Sequence, residues 1–141
     1  MTATPSPSSR ILIIDDDDAV TATFARMLRL DGHQVRTASS AEVGLREAER
    51  ETPDAIILDL RMPLINGLGF LYRLRAAPHH RSIPVAIVTG DYFLDDVVLG
   101  EISTLGAELH FKPLWLEDLV TLAHELLQGD RGGTKPPILT H

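Results

Sequence analysis

The sequence predicts an α/β fold in which a parallel sheet of five strands is connected by crossover helices. Short apolar runs alternate with longer segments of helical periodicity, which is the pattern of successive β-α-β units. Three of the runs, ILII, AIIL and PVAIV, are nearly continuous, as expected for strands buried on both faces. The 141 residues, of which 44% are hydrophobic and 23% charged, suffice for one domain with a substantial core.

The five strands and the clearest helices follow from these patterns. Residues 34–38 alternate between apolar and polar side chains, which is typical of an edge strand. Helical stripes run from Val20 to Leu28 and from Leu116 to Leu127, and Gly32 and Gly129 stand where these helices should end. The predicted strands are residues 10–14, 34–38, 55–58, 83–88 and 107–111.

Composition limits both the domain organisation and the function. Residues 1–9 and 129–141 are rich in Pro, Gly and Ser, so we expect flexible tails around a domain at 10–128. No apolar segment has the length of a signal peptide or a membrane span, which predicts a cytoplasmic protein. The chain has no cysteine, which excludes disulfides and thiolate zinc sites. A net charge of −7 argues against direct binding to nucleic acid or to anionic lipid.

Groups that bind cations or phosphate follow several of the predicted strands. The carboxyl ends of parallel strands meet at one edge of the sheet, so these side chains should lie together. Neighbouring carboxylates repel one another and need a cation to remain ionised, and an all-oxygen ligand set favours Mg²⁺. The alternative is a solvated acidic loop that caps the next helix. The strand-end residues are Asp15, Asp16, Asp17, Asp18, Asp59, Thr89 and Lys112.

Two of these strand ends have further informative features. The loop after Asp59 contains Pro63 and Gly67, which allow it to turn a backbone carbonyl toward a metal, and Asn66 is the predicted cap of the following helix. Lys112 is one of only two lysines among thirteen basic residues, and its compact ammonium suits a phosphoryl oxygen or a carboxylate. Both features agree with a phosphate-handling site.

Four segments in this order, ILIIDDDDAV, AIILDLRMPLINGLGF, PVAIVTG and LGAELHFKPLWLEDL, resemble the receiver domain of two-component response regulators. The resemblance covers about residues 10–128. It implies a doubly wound, flavodoxin-like sheet of strand order 2-1-3-4-5 with five helices. It also implies that Asp59 accepts a phosphoryl group from a sensor histidine kinase or a phosphotransfer protein.

The same resemblance assigns roles to individual residues. Asp16 and Asp59 would bind Mg²⁺ directly, Asp15 would act mostly through water, and the carbonyl of Arg61 would complete the protein ligands. Lys112 would supply positive charge during transfer. Thr89 would then be drawn toward the phosphoryl group and move its loop.

The sequence departs from the family pattern at three places, of which Asp18, where proline is common, is expected to be harmless at a helix start. The segment before Lys112 is one residue short, so either Leu109 or His110 stands where the family has a rotating aromatic residue. Trp115 stands where the last helix should be capped. An aromatic residue at this position has two possible interpretations. It belongs to an interface with a second copy or a partner, on the face formed by the fourth helix, fifth strand and fifth helix, or it packs locally as a hydrophobic staple.

We therefore expect a stand-alone phosphoacceptor signalling protein rather than an enzyme, whose output is phosphorylation-dependent protein binding. After Leu127 the sequence is too short for a DNA-binding output domain. The alternative is an unphosphorylated pseudo-receiver that acts as an interaction scaffold. A flavin carrier is disfavoured because four acids follow the first strand, where a phosphate-binding loop would be needed.

Overall fold

The computed structural model describes residues 9–61, 63–91 and 93–128 and contains a five-stranded parallel sheet of order β2-β1-β3-β4-β5. Three helices cover one face and two the other, which confirms the doubly wound α/β prediction. The two predicted tails lie outside the described residues except for Ser9, and so does Gly129. The elements are β1 (Arg10–Ile14), α1 (Asp18–Leu30), β2 (Gln34–Ala38), α2 (Ala41–Arg50), β3 (Ala55–Leu60), α3 (Leu64–Ala76), a 3₁₀ turn (Pro78–His80), β4 (Val85–Thr89), α4 (Asp96–Thr104), β5 (Ala107–Phe111) and α5 (Leu116–Gln128).

Alternating side chains of the central strands divide the core into two layers. Ile11, Ile13 and Ile57 pack on the side of α1 and α5, whereas Leu12 and Leu58 pack on the side of α2, α3 and α4. All five are at most 1% exposed. Burial of such a side chain contributes roughly 1.5–3 kcal/mol, so both layers hold the central strands firmly and fix their carboxyl ends.

The helix ends agree with the sequence in most places. Asp17 caps α1 by accepting hydrogen bonds from the N–H groups of Ala19 and Val20, and Gly32 takes a φ of +99° after it. The prediction that Asn66 caps α3 is wrong. The helix already begins at Leu64, with Pro63 in the cap position and no side-chain cap, because the fixed φ of proline suits a helix start without a capping side chain.

The sheet has two edges, formed by β2 and β5. β5 pairs only with β4, and none of its five residues is fully buried. Glu108 and His110 lie on the same side of this strand, with His110 Nε2 3.0 Å from Glu108 Oε1. None of the helices in the described ranges is long and apolar enough to cross a bilayer.

Candidate functional site

The candidate site lies at the carboxyl ends of β1, β3, β4 and β5, where the chain leaves the sheet. The order of the strands reverses between β1 and β3, since β2 lies on the outer side of β1. In open parallel sheets such a point is where ligands bind. Asp15 follows β1, Asp59 lies near the end of β3, Thr89 ends β4 and Lys112 follows β5.

Asp15 is fully buried at this edge. Its Oδ1 accepts a hydrogen bond from the N–H of Asp17 at 3.2 Å, and its own N–H donates to the carbonyl of Ala38 at 3.0 Å. Its Oδ2 has no hydrogen-bond partner among the described residues. Burial, together with the neighbouring charge of Asp59, raises the pKa of Asp15 to about 7. An ionised Asp15 therefore calls for a cation.

Asp59 and Lys112 form a close ion pair in the same pocket. Lys112 Nζ lies 2.9 Å from Asp59 Oδ1, and the two side chains are 28% and 1% exposed. Burial raises the pKa of Asp59, while the ammonium of Lys112 opposes this effect. Asp59 Oδ2 is buried and accepts no hydrogen bond from any residue within the described ranges. Lys112 thus places a positive charge on one oxygen and leaves the other available.

The remaining acidic residues and Arg61 lie at the mouth of the pocket. Asp16 and Arg61 are exposed, and Asp17 is partly buried. An Nη atom of Arg61 lies 3.6 Å from Asp17 Oδ2, and the Arg61 N–H donates to the carbonyl of Asp59 at 3.0 Å. Asp18 is exposed in the first turn of α1, where its charge favours the helix N-terminus. The loop after β3 thus turns back over the acidic pocket.

Thr89 connects the pocket with the loop that leads to α4. It is 3% exposed, and its hydroxyl accepts a hydrogen bond from the N–H of Asp91 at 3.1 Å. Asp91 Oδ1 in turn accepts from the N–H of Phe93 at 3.0 Å. The carbonyl of Thr89 accepts from the N–H of Lys112 at 2.8 Å, which ties β4 to the end of β5. The Phe93 side chain is 93% exposed, so this chain of hydrogen bonds runs from the pocket to the surface.

The structure distinguishes the two residues that could replace the family aromatic. Leu109 is partly buried against the core layer of α2, α3 and α4. His110 lies on the opposite face of β5, beside Glu108. Leu109, whose side chain cannot form hydrogen bonds, therefore occupies the position that faces α4.

Trp115 immediately precedes α5 and is 64% exposed. The backbone N–H of Trp115 donates to Asp118 Oδ2 at 3.2 Å, and its backbone carbonyl accepts from the N–H of Leu119 at 3.0 Å. Asp118 therefore satisfies the backbone at the helix start, which is one half of a capping box. Asp118 is absent from the capping residues expected from the sequence, although its position three residues after Trp115 is the spacing of a capping box.

The pocket fits a hard divalent cation. Asp15 and Asp59 each keep one buried carboxylate oxygen that receives no hydrogen bond from the described residues. A buried carboxylate without a donor is costly unless a cation neutralises it. The side chains that carry these oxygens offer no sulfur or imidazole, which suits Mg²⁺ rather than Zn²⁺.

Comparison with known proteins agrees with the fold. The sequence model of the response regulator receiver domain matches residues 11–123, and the chain belongs to this family. Receiver domains are phosphoacceptors of signalling systems rather than conventional enzymes, and they typically bind Mg²⁺ at the acidic pocket. Response regulators interact with sensor histidine kinases.

Individual relatives give the same family. The chain is 38% identical over 128 residues to the transcriptional regulatory protein PrrA of Mycobacterium tuberculosis, covering 90% of this chain and 53% of that protein. The chain thus spans about half the length of these curated relatives. A receiver domain protein from Clostridium thermocellum is 30% identical, with a TM-score of 0.72 over 85% of this chain and 94% of that one. The chemotaxis protein CheY4 of Vibrio cholerae, 24% identical, shares the fold with a TM-score of 0.77 over 86% of this chain and 100% of its own.

Proposed function

We propose that this chain acts as a response regulator receiver in which Asp59 accepts a phosphoryl group from the phosphohistidine of a sensor histidine kinase or phosphotransfer protein. The observation that carries the proposal is the buried Asp59 carboxylate, with Lys112 Nζ 2.9 Å from one oxygen. A carboxylate that serves only as a structural group would be expected to receive hydrogen bonds on both oxygens. Here the second oxygen receives none from the described residues.

The transfer exchanges one bond to phosphorus for another. A carboxylate oxygen of Asp59 forms a P–O bond while the P–N bond to the donor imidazole breaks, and the imidazole keeps the electron pair of that bond. Catalysis of such a step rests on positioning and on neutralising charge on the phosphoryl oxygens. Lys112 is placed to do this because its ammonium already lies beside the nucleophile. Burial of Asp59 limits its contact with water.

We assign the Mg²⁺ ligands to Asp15, Asp16, Asp59 and the backbone carbonyl of Arg61. The two buried carboxylates each offer an oxygen that receives no hydrogen bond within the described part of the chain. Asp16 and Arg61 lie at the open side of the pocket. When bound, the ion supplies positive charge that offsets the charge of the carboxylates and of the incoming phosphoryl group.

Thr89 would carry the signal out of the pocket. A hydroxyl can donate one hydrogen bond while it accepts another. Thr89 could therefore donate to a phosphoryl oxygen and still accept from the N–H of Asp91, so that the loop moves with it. Because Asp91 also holds the N–H of Phe93, the movement would reach the exposed Phe93 side chain before α4.

The output of this switch would be binding to another protein in the cytoplasm, with no direct contact to nucleic acid or membrane. The net charge of −7 supports this choice. Exposed apolar side chains lie on and beside α4, β5 and α5, among them Val97, Phe111 and Trp115. We propose that this face forms a homodimer or binds the downstream target.

Mass spectrometry after incubation with Mg²⁺ and acetyl phosphate tests the phosphoacceptor function. The wild type should gain the mass of one phosphoryl group, and hydroxylamine should remove it, as it does for an acyl phosphate. Asp59→Asn should gain nothing. Asp18→Asn is the matched control from the exposed acidic run and should behave like the wild type. A wild type without any gain would favour the pseudo-receiver scaffold.

Sedimentation measurements on phosphorylated and unphosphorylated protein test the proposed interface. Trp115→Ser should weaken phosphorylation-dependent self-association. Leu30→Ser removes another exposed apolar side chain, 75% exposed, from the end of α1 and should leave association unchanged. Equal association of the wild type and Trp115→Ser in both states would exclude Trp115 from a dimer interface.

A further inference from the structure

Asp31, His33 and His124 bring two imidazoles to one carboxylate oxygen outside the acidic pocket. His124 Nε2 lies 2.8 Å and His33 Nε2 3.1 Å from Asp31 Oδ2. The three potential ligand atoms all lie within 4.8 Å of one another. We propose that this cluster binds a divalent transition metal ion, with Zn²⁺ as the ion that it fits best.

The backbone holds these three residues in place. Asp31 follows α1, and its N–H donates to the carbonyls of Met27 and Leu28. The following Gly32 has a φ of +99°, and the N–H of His33 returns to the carbonyl of Leu28 at 3.1 Å. His124 lies on α5 beside the fully buried Ala123. Ligands that project from a backbone held in this way lose little conformational freedom when an ion binds.

The distances agree with a tetrahedral zinc site. Zinc lies roughly 2.0–2.1 Å from imidazole nitrogen and carboxylate oxygen, so neighbouring ligand atoms are separated by about 3.3 Å. From Asp31 Oδ2, the nitrogen of His33 lies at 3.1 Å, close to this separation, and that of His124 at 2.8 Å, about half an ångström shorter, so a small outward movement of His124 would admit the ion. The imidazole rings are 5.9 Å apart and inclined at 77°, so they approach the oxygen from different directions.

The ligand set also selects the kind of ion. Two imidazoles and one carboxylate suit Zn²⁺ and similar transition metals, whereas Mg²⁺ prefers oxygen ligands. With neutral imidazoles, the carboxylate of Asp31 gives the cluster a single negative charge. The side chains of His33, Asp31 and His124 are 11%, 28% and 55% exposed, so the ion can enter from solvent and keep a water molecule as a fourth ligand.

This cluster is separate from the phosphoacceptor pocket. His33 immediately precedes β2, so the cluster lies toward the amino ends of the strands, opposite the edge that carries Asp59. An ion there would connect the end of α1 to α5. A second histidine cluster consists of Glu49, His79 and His80. Its ligand atoms are more widely spaced, since His79 Nε2 lies 3.8 Å from Glu49 Oε2.

Calorimetric titration of the full chain, without a histidine tag and with Zn²⁺ as the only transition metal, tests the proposal. We expect a one-to-one site whose affinity falls at least about tenfold in His124→Ala and in Asp31→Asn. His79→Ala should bind Zn²⁺ like the wild type, since His79 lies in the second histidine cluster. Co²⁺ in place of Zn²⁺ should give visible absorption bands typical of tetrahedral coordination, and these should be lost in His124→Ala.

Three results would overturn the proposal. The first is a wild type that binds no Zn²⁺. The second is equal affinity for the wild type, His124→Ala and Asp31→Asn. The third is a loss of affinity confined to His79→Ala, which would assign the ion to the second cluster. Circular dichroism of each variant checks that the fold is intact, and the half-exposed position of His124 makes its substitution the milder one.

Discussion

The buried carboxyl group of Asp15 should lower the stability of the metal-free protein, so we expect Asp15→Asn to raise its free energy of unfolding. In the folded protein the pKa of this group is raised from 3.8 to about 7, mainly by burial and then by the charge of Asp59. In the unfolded chain the carboxyl ionises freely in water. An asparagine keeps the shape and an acceptor for the N–H of Asp17, and it carries no charge.

The size of the effect follows from these two pKa values. Between about pH 4 and pH 7 the folded protein retains a proton on Asp15 that the unfolded chain has lost, so stability falls as pH rises across this range. The full difference corresponds to about 4 kcal/mol near pH 8 and to about 2 kcal/mol near pH 5. The amide must also be accommodated, so we expect a measured gain of at least about 1 kcal/mol near pH 8.

Urea denaturation in the presence of a chelator, near pH 8 and near pH 5, measures this gain. The advantage of Asp15→Asn over the wild type should be larger at the higher pH. Asp18→Asn is the control, because Asp18 is exposed at the start of α1 and its loss should cost a few tenths of a kcal/mol. An Asp15→Asn protein that is no more stable than the wild type near pH 8 would refute the argument from burial.

Three further results are expected. Mg²⁺ at about a hundredfold above its Kd should stabilise the wild type by about 2.7 kcal/mol in thermal unfolding, and Asp59→Asn should lose most of this gain. Lys112→Met should slow phosphorylation by acetyl phosphate at least about tenfold, measured by mass spectrometry, because the charge 2.9 Å from Asp59 is lost; an unchanged rate would remove Lys112 from the transfer step. Leu74→Ala should cost about 2–5 kcal/mol in urea denaturation because Leu74 is fully buried, whereas Leu30→Ala, at a 75% exposed site, should stay within about 0.5 kcal/mol. Similar losses for these two variants would contradict the assignment of the core.

The strands could be predicted well where the apolar runs are bounded by turn residues. β1, β2 and β5 have the predicted bounds. β3 is longer than predicted because Asp59 and Leu60 continue to pair with Val88 and Thr89. β4 begins later than predicted because Pro84 has no N–H to offer the sheet. The polar side chain of Asp59 thus does not end β3, because the backbone at this residue still pairs with β4.

The residues of the candidate site could be located because parallel strands bring their carboxyl ends together. This placed Asp15, Asp59 and Lys112 at one edge before any distance was known. The roles of Asp59 as phosphoacceptor, of Asp15 as metal ligand and of Lys112 as cation remain predictions. The cluster of Asp31 and His124 could not be found in the same way, since 93 residues separate them and only the packing of α1 against α5 brings them together.

The position of β5 at the edge of the sheet also affects whether the protein aggregates through strand pairing. An unpaired strand edge can recruit a strand from another molecule and begin aggregation. Here that edge is five residues long and carries the hydrogen-bonded pair of Glu108 and His110. Two positions after the strand, Pro113 has no N–H to offer an incoming strand. These features guard the end of the sheet against intermolecular strand pairing while its neighbouring helices stay accessible.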